Sequence, residues 1–501
     1  MTPLYKYAGM LALCCGIAIS AHGQKAIRLS LQDAIELAND SSLSSLKYRN
    51  QFLASYWEYR SYRANRLPSL TLNLTPAQYY RSITQRYDSN TDQDVFRAQK
   101  MFSASGSLSV QQNFDWLGGT FYLNTDLDYM RNFGETKSTQ FSAVPLQLGY
   151  SQDLLGYNSF KWEKLIEPLK YEVAQKQFVY NMEVVSENVV TYFFTLAMAQ
   201  AEYDLARDNV ETSEKLYNIG LERQKIAAIS KADLLTLQLD VVNARNALEN
   251  ARIDTKRAMF SLASYLKLNK DTQITLDMPG LPMHMEIPLD KALDMARSNN
   301  PDMLGQRQQV LEAQETVDRT RQEARFNASF NASIGFNQVS DKLRSAYRHP
   351  LQQDLVSISV SIPLVDWGVR KGKYNMAKNN LNVAELTAEE QKQSIEKDVV
   401  MTVNDFNVQR NLIASADEAL RLAEMAYEQT RERFIIGKAD VNSLTLALNR
   451  QQSAQNNYIS SLRNYWQSYY KIRRLTLFDF ASGFFGKAPG IVLFIITSIL
   501  A

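Results

Sequence analysis

The sequence predicts an α+β membrane protein in which long antiparallel α-helices form a coiled-coil barrel joined to a transmembrane β-barrel. Three observations predict it. Two stretches of about 70 residues keep apolar side chains three and four apart with almost no helix breaker. The segments between helices switch to strict alternation of apolar and polar residues. The chain also repeats itself: "LERQKIAAISKADLL" (Leu221–Leu235) returns as "RERFIIGKADVNSL" (Arg431–Leu444), so one layout is built twice.

The first 23 residues differ from the rest. Lys6 precedes an apolar run from about Tyr7 to Ile19, closed by Ala21-His22-Gly23. Residues 1–23 read as a secretory signal peptide cleaved before Gln24; the run falls short of the ~20 residues a membrane span needs. Leu13 is too large to precede a lipidated Cys14. Cys14 and Cys15, the two cysteines of the chain, therefore leave with the signal, and no thiol chemistry is expected of the mature protein.

The repeat divides the remainder into residues 24–286 and 287–480, followed by a tail, 481–501. "LSLQDAIELANDSS" (Leu29–Ser42) aligns with "IPLDKALDMARSNN" (Ile287–Asn300) at an offset of 258, matching Leu31 to Leu289, Ala34 to Ala292 and Ala38 to Ala296. Further on the offset is 210: Leu154 meets Leu364, Tyr217 meets Tyr427, Arg223 meets Arg433, Ser230 meets Asp440 and Leu234 meets Leu444. One offset held over about 100 residues argues for a rigid element in each half, and a period this long is a duplicated domain rather than a solenoid. Subtracting 210 from 258 leaves 48 residues, an insertion in the first half between about Arg66 and Leu154.

From about 158 to 228, and again from about 369 to 436, apolar residues recur at helical spacing: Val185, Val189, Tyr192 and Leu196 in one, Ile395, Val399, Val403 and Phe406 in the other. At 1.5 Å per residue each helix is about 105 Å long, beyond the diameter of a globular domain. Return helices are expected over about 231–266 and 441–473, and shorter ones over about 42–66 and 300–324. The repeated motif is then the turn that ends each long helix. Ser230 and Asp440 suit the N-cap of the helix that follows. Gly437 suits the chain reversal, where Ala227 stands in the first half and fits less well.

Strands are expected over about 67–153 and 328–363. "VSISVSIPL" (Val356–Leu364) sets Val356, Ile358, Val360 and Ile362 against Ser357, Ser359 and Ser361; "SLTLNL" (Ser69–Leu74), "GSLSVQQNF" (Gly106–Phe114), "FYLNTDLDY" (Phe121–Tyr129), "PLQLGY" (Pro145–Tyr150) and "SFNASIGF" (Ser329–Phe336) alternate likewise. One apolar and one hydroxyl-rich face fits a barrel wall between lipid and water; a soluble sandwich with its core on the apolar face is the other reading. Tyr79, Tyr80, Trp116, Tyr157, Trp162 and Trp367 at strand ends resemble interfacial girdles and favour the membrane. Four strands in the first half and two in the second return the chain to one side of the membrane. Six strands are too few for a usable barrel, so several copies must share one.

Other chemistry is not written here. A formal charge of +2 makes no electrostatic case for nucleic acid. His284 and His349, the histidines left after the signal, lack metal-ligand spacing. There is no Walker A loop, dinucleotide loop or nucleophile elbow; no cofactor and no enzyme activity are expected. After Phe480 the apolar "APGIVLFIITSILA" (Ala488–Ala501) is too short to span a membrane. It is expected to pack against the assembly or lie in the membrane interface, or it reflects where the reading frame ends.

Together these features resemble the TolC family of outer membrane efflux proteins. The resemblance rests on "LSLQDAIELA" at the mature start, "RLPSLTL" (Arg66–Leu72), "SIPLVDWG" (Ser361–Gly368) and "RFIIGKADVNSLTLA" at the second tip, and covers about Leu29 to Phe480. It implies a homotrimer in the outer membrane lipid, with a shared barrel and a helical tunnel in the periplasm. It implies a passive exit duct for efflux or type I secretion, served by a periplasmic adaptor protein and an inner-membrane pump of the RND or ABC class. The competing function is a soluble periplasmic coiled-coil adaptor or scaffold. The resemblance puts adaptor contact and gating at the tips, here Arg223, Lys225, Ala227, Ser230, Lys231, Asp233, Arg433, Gly437, Lys438, Asp440 and Ser443. Lys225, Lys231, Asp233, Lys438 and Asp440 are expected to set the tip's charge; each also reads as an ordinary solvated residue or cap. Two departures stand out. Ser443 and Leu446 occupy positions where the family commonly has acids. The family typically contributes two strands per half, and with Gly118-Gly119 as a tight turn the insertion adds a hairpin that either enlarges the barrel or folds outside it.

Overall fold

The computed structural model describes residues 26–485 apart from 90, 117, 134–136, 155, 227–228, 271 and 281–284. The signal peptide, the apolar tail, His284 and Ala227 lie outside the described residues. In chain order the elements are β1 (Ala26–Ser30), α1 (Leu31–Ser41), α2 (Leu43–Ala64), β2 (Ser69–Asp88), β3 (Gln93–Phe114), β4 (Gly119–Asn132), β5 (Ser138–Leu154), α3 (Ser159–Lys225) and α4 (Lys231–Tyr265). The second half follows with β6 (Gln273–Asp277), α5 (Leu289–Asn299), α6 (Pro301–Glu323), β7 (Asn327–Ser340), β8 (Leu351–Ser361), α7 (Val369–Ile435) and α8 (Val441–Thr476). A two-residue pair, β9 (Phe478–Asp479) and β10 (Phe484–Phe485), closes the described chain.

Contacts divide the chain into two compact units. The first comprises the residues up to Asn50, Phe178–Asn300 and those from Ile395 on; the second comprises Gln51–Gln177 and Pro301–Ser394.

The second unit is built on one six-stranded sheet, antiparallel throughout, in the order β2-β3-β4-β5-β7-β8. Period-two spacing puts alternate side chains on opposite faces. The register aligns them across the sheet: Leu70 faces Val110, Leu72 faces Leu108, Phe121 faces Tyr150, Leu148 faces Ile334 and Phe330 faces Ile358. The result is a continuous apolar face that stays open, with Leu72 60%, Leu148 49% and Ile358 64% exposed. The opposite face is polar. There Gln147 donates to Ser333 at 3.3 Å and Ser151 to Asn331 at 2.7 Å.

Side-chain clamps hold the strand ends. Arg66, just before β2, forms an ion pair with Asp115 in the β3–β4 turn and donates to the carbonyl of Phe160 at 3.1 Å. Asn158 donates to the Asp115 carbonyl at 3.3 Å. Gly118 has φ +73°, the left-handed conformation this turn requires. Trp116 and Trp367 are exposed, as are Tyr79 and Tyr80, about ten residues up β2 from its start. Tyr157 and Trp162 instead turn toward α6: the Tyr157 hydroxyl donates to Glu315, and the Trp162 indole N–H to Asp318 at 2.9 Å.

In the first unit the spaced apolar residues become core. Val185, Val189, Phe193, Phe194 and Leu196 of α3 are buried, as are Leu262 of α4, Val399, Val403 and Phe406 of α7, and Leu462 and Ile472 of α8. Each such side chain contributes about 1.5–3 kcal/mol. A buried charge pair interrupts this packing: Arg473 donates to Glu183 at 2.7 Å. Burial pushes the Glu183 carboxyl up, and Arg473 opposes the shift. β1 pairs in parallel with β6, reinforced by Arg28 donating to Asp277 at 2.8 Å.

Candidate functional site

The two turns that end the long helices lie in the first unit and pack against each other. Leu216, Leu237, Phe434 and Leu444 form a buried cluster, with Tyr217, Ile229, Tyr427, Ala439 and Val441 packed around it.

The second turn is a Schellman closure. The Lys438 N–H donates to the Arg433 carbonyl at 2.8 Å and the Gly437 N–H to the Phe434 carbonyl at 3.0 Å, with Gly437 at φ +80°. The first long helix supplies the rest. Arg223 of α3 donates to the carbonyls of Phe434 at 3.2 Å and Ile435 at 2.9 Å, and its guanidinium lies 5.6 Å from the Phe434 ring centroid. A cation thus sits on the negative end of α7. A Cβ at Gly437 would come within 3.1 Å of that guanidinium, so the position needs glycine for space as well as for φ. Arg433 donates to the Lys438 carbonyl at 3.5 Å.

The helices leaving the turns are capped by side chains. Ser230 and Asp233 form a reciprocal capping box at the start of α4: the Asp233 N–H donates to the Ser230 hydroxyl at 3.0 Å, and the Ser230 N–H to the Asp233 carboxylate at 3.1 Å. Asp440 caps α8 by accepting from the Ser443 N–H at 2.7 Å. Hydrogen bonds from Ser443 hold the Asp440 carboxyl below its ordinary value. Both carboxylates expected to set the tip's charge therefore also serve as caps. Both remain exposed, as do Lys225, Lys231 and Lys438. Lys225 pairs with Glu222 at 2.7 Å. Ile226, Leu235, Ile436 and Leu446 are exposed beside these charges.

Behind the tips a cavity of about 210 Å³ opens between the helix pairs, lined by Ser213, Asp240, Asn243, Tyr427, Thr445 and Asn449 among others. Burial pushes the Asp240 carboxyl up. Among the described residues no group of three or more His, Cys, Asp or Glu is placed to hold a metal ion, and no helix is long and apolar enough to cross a membrane. The clamp made by Arg223 had no signal in the sequence beyond its match to Arg433, because its acceptors lie 211 and 212 residues away.

Residues 292–476 match the outer membrane efflux protein family. Toxin and drug export protein A of Aggregatibacter actinomycetemcomitans is 20% identical over 445 residues, covering 81% of this chain and 92% of that protein. Outer membrane protein TolC of Escherichia coli K12 is 20% identical over 363 residues, 68% of this chain and 71% of TolC. The chain is a homologue of the TolC-family outer membrane efflux proteins. Solved structures of that family share its fold. The Campylobacter jejuni CmeC outer membrane channel superposes with TM-score 0.64 at 13% identity, covering 96% of this chain and 93% of CmeC. VceC of Vibrio cholerae does so with TM-score 0.63 at 13% identity, covering 89% and 95%.

Proposed function

We propose that this protein is the outer-membrane exit duct of an efflux or secretion system, a passive conduit that spans the outer membrane and extends into the periplasm. The observation that carries this reading is the open apolar face running across all six strands, backed by a polar face. An adaptor or scaffold soluble in the periplasm would have to cover that face; lipid covers it without a further layer. β8, at 11 residues, has the length of a tilted membrane strand. The 67-residue helices α3 and α7 reach about 100 Å, the depth a periplasmic tunnel needs.

Three copies share the barrel, since six strands do not close around a usable channel. The internal repeat supplies two helix pairs per copy. The tips meet a periplasmic adaptor through Lys225, Lys231, Lys438 and the apolar residues beside them, while an inner-membrane pump supplies the energy. The role is conduction, not catalysis. The test is the native mass of the protein extracted by detergent from purified outer membranes, corrected for bound detergent. Three chains are expected. A single chain, or absence from that fraction, would overturn the duct and return the periplasmic scaffold.

A further inference from the structure

We infer that the β3–β4 hairpin is part of the barrel wall, so that three copies close a ring of eighteen strands in which β2 of each copy pairs with β8 of the next. The inference rests on the trimeric duct proposed above and specifies its wall.

Four observations carry it. First, β3 and β4 are not appended to the sheet but lie inside it. They form full-length ladders with β2 on one side and β5 on the other, from Ser69↔Gln111 to Asp88↔Gln93 and from Gly119↔Gln152 to Asn132↔Ser138. A hairpin folded outside the wall would leave β2 to pair with β5. Second, both faces of the sheet continue through it. Leu108 and Val110 of β3 and Leu123 of β4 join the apolar face, while Ser107 and Ser109 lie opposite Asp126 and Asn124 on the polar face. Third, the turn joining β3 to β4 is held at the foot of the sheet by Arg66, next to β2, and by Asn158, next to α3. The foot of the hairpin therefore sits level with the neighbouring strand ends.

The fourth observation concerns the edges. β2 and β8 end the sheet, each with one strand neighbour among the described residues. Soluble proteins blunt such edges with charge, proline or a bulge. Here Ser69–Thr75 of β2 and Leu355–Ser361 of β8 carry no charged residue and no proline, and the bulge near Pro76 falls beyond that segment. In lipid an unpaired backbone edge is not tolerated. An even number of strands means that β8 of one copy meets β2 of the next in antiparallel orientation, so the alternation runs unbroken around the ring. A second copy of this chain is thus the partner each edge fits.

Strands about 4.8 Å apart and tilted about 40° give a backbone diameter of about 36 Å for eighteen strands and about 24 Å for twelve. The experiment is electron microscopy of the full-length protein in lipid nanodiscs, viewed end-on. A three-fold particle with a wall about 36 Å across is expected. A three-fold particle with a wall about 24 Å across would overturn the inference while leaving the duct standing. A particle without three-fold symmetry would overturn both. A companion variant that removes residues 89–137 and joins β2 to β5 through an Asn-Gly turn should shrink the ring by about one third. An unchanged diameter would show that the hairpin never belonged to the wall.

Discussion

Arg223 donates to two carbonyls at the end of α7, 211 and 212 residues further along the chain. Arg223→Met should leave those acceptors to water at a cost of about 1–3 kcal/mol. The readout is amide hydrogen exchange at residues 434–438, which should quicken while the melting temperature of the remaining helices holds. Gly437→Val should cost at least about 1–2 kcal/mol from the left-handed backbone alone, with added crowding of Arg223. At Asp440 the sign follows from a carboxyl held below its ordinary 3.8. The folded form ionises more readily, so the cap contributes fully above that value and loses its contribution as pH falls through the depressed one. The tip should keep its amide protection factors from neutral pH down to about 4 and lose protection below. The buried pair behaves asymmetrically. Arg473→Met strands Glu183 among apolar neighbours and should cost about 3–5 kcal/mol in a denaturant or thermal melt. Glu183→Gln should cost less, because Arg473 keeps the Asp479 carboxylate at 3.8 Å as a second partner.

Elements differ in how far their own residues specify them. α3 and α7 each run 67 residues because apolar side chains return every three or four positions and glycine and proline are nearly absent, a periodicity any reader of the chain can count. The lower halves of the strands are equally plain in their alternation. The upper half of β2, from Tyr79 to Asp88, is not: Arg81, Gln85 and Tyr87 break the pattern, and the ladder to β3 keeps the segment extended. β1 and β6 left little trace, since five-residue strands paired across most of a repeat depend on non-local contact. The faces of β8 make the element testable. Ile358→Arg, on the apolar face, should destabilise the membrane-inserted protein by about 2–4 kcal/mol when folding into vesicles is measured, because lipid cannot solvate the guanidinium. Ser359→Arg, on the opposite face, should have little effect on folding.

At the scale of the whole molecule, the apolar sheet face decides where the protein lives. Among the described residues it stays exposed, and it fits a lipid band about 25 Å tall, with Trp116 and Trp367 near one end and Tyr79 and Tyr80 near the other. The protein should stay with the outer membrane through a carbonate wash that strips peripheral proteins; release by that wash would argue against the barrel. Of the tip residues, the caps were legible as caps: Ser230 and Asp440 precede regular helical patterns, and Gly437 marks a chain reversal. Their packing into one cluster was not legible, because Leu216, Leu237, Phe434 and Leu444 come from four different helices.

By itself, then, the sequence determined what repeats locally: helix where the period is three to four, strand where it is two, caps and turns where small polar residues and glycine stand. These follow from backbone geometry, which acts within a few residues. Only the tertiary structure decided the order of strands in the sheet, the place of the β3–β4 hairpin between β2 and β5, and the reach of Arg223 to the other tip. Those outcomes turn on which distant segments find hydrogen-bond partners and cover each other's apolar faces. Period and propensity say that such a partner is needed; they do not say which one it is.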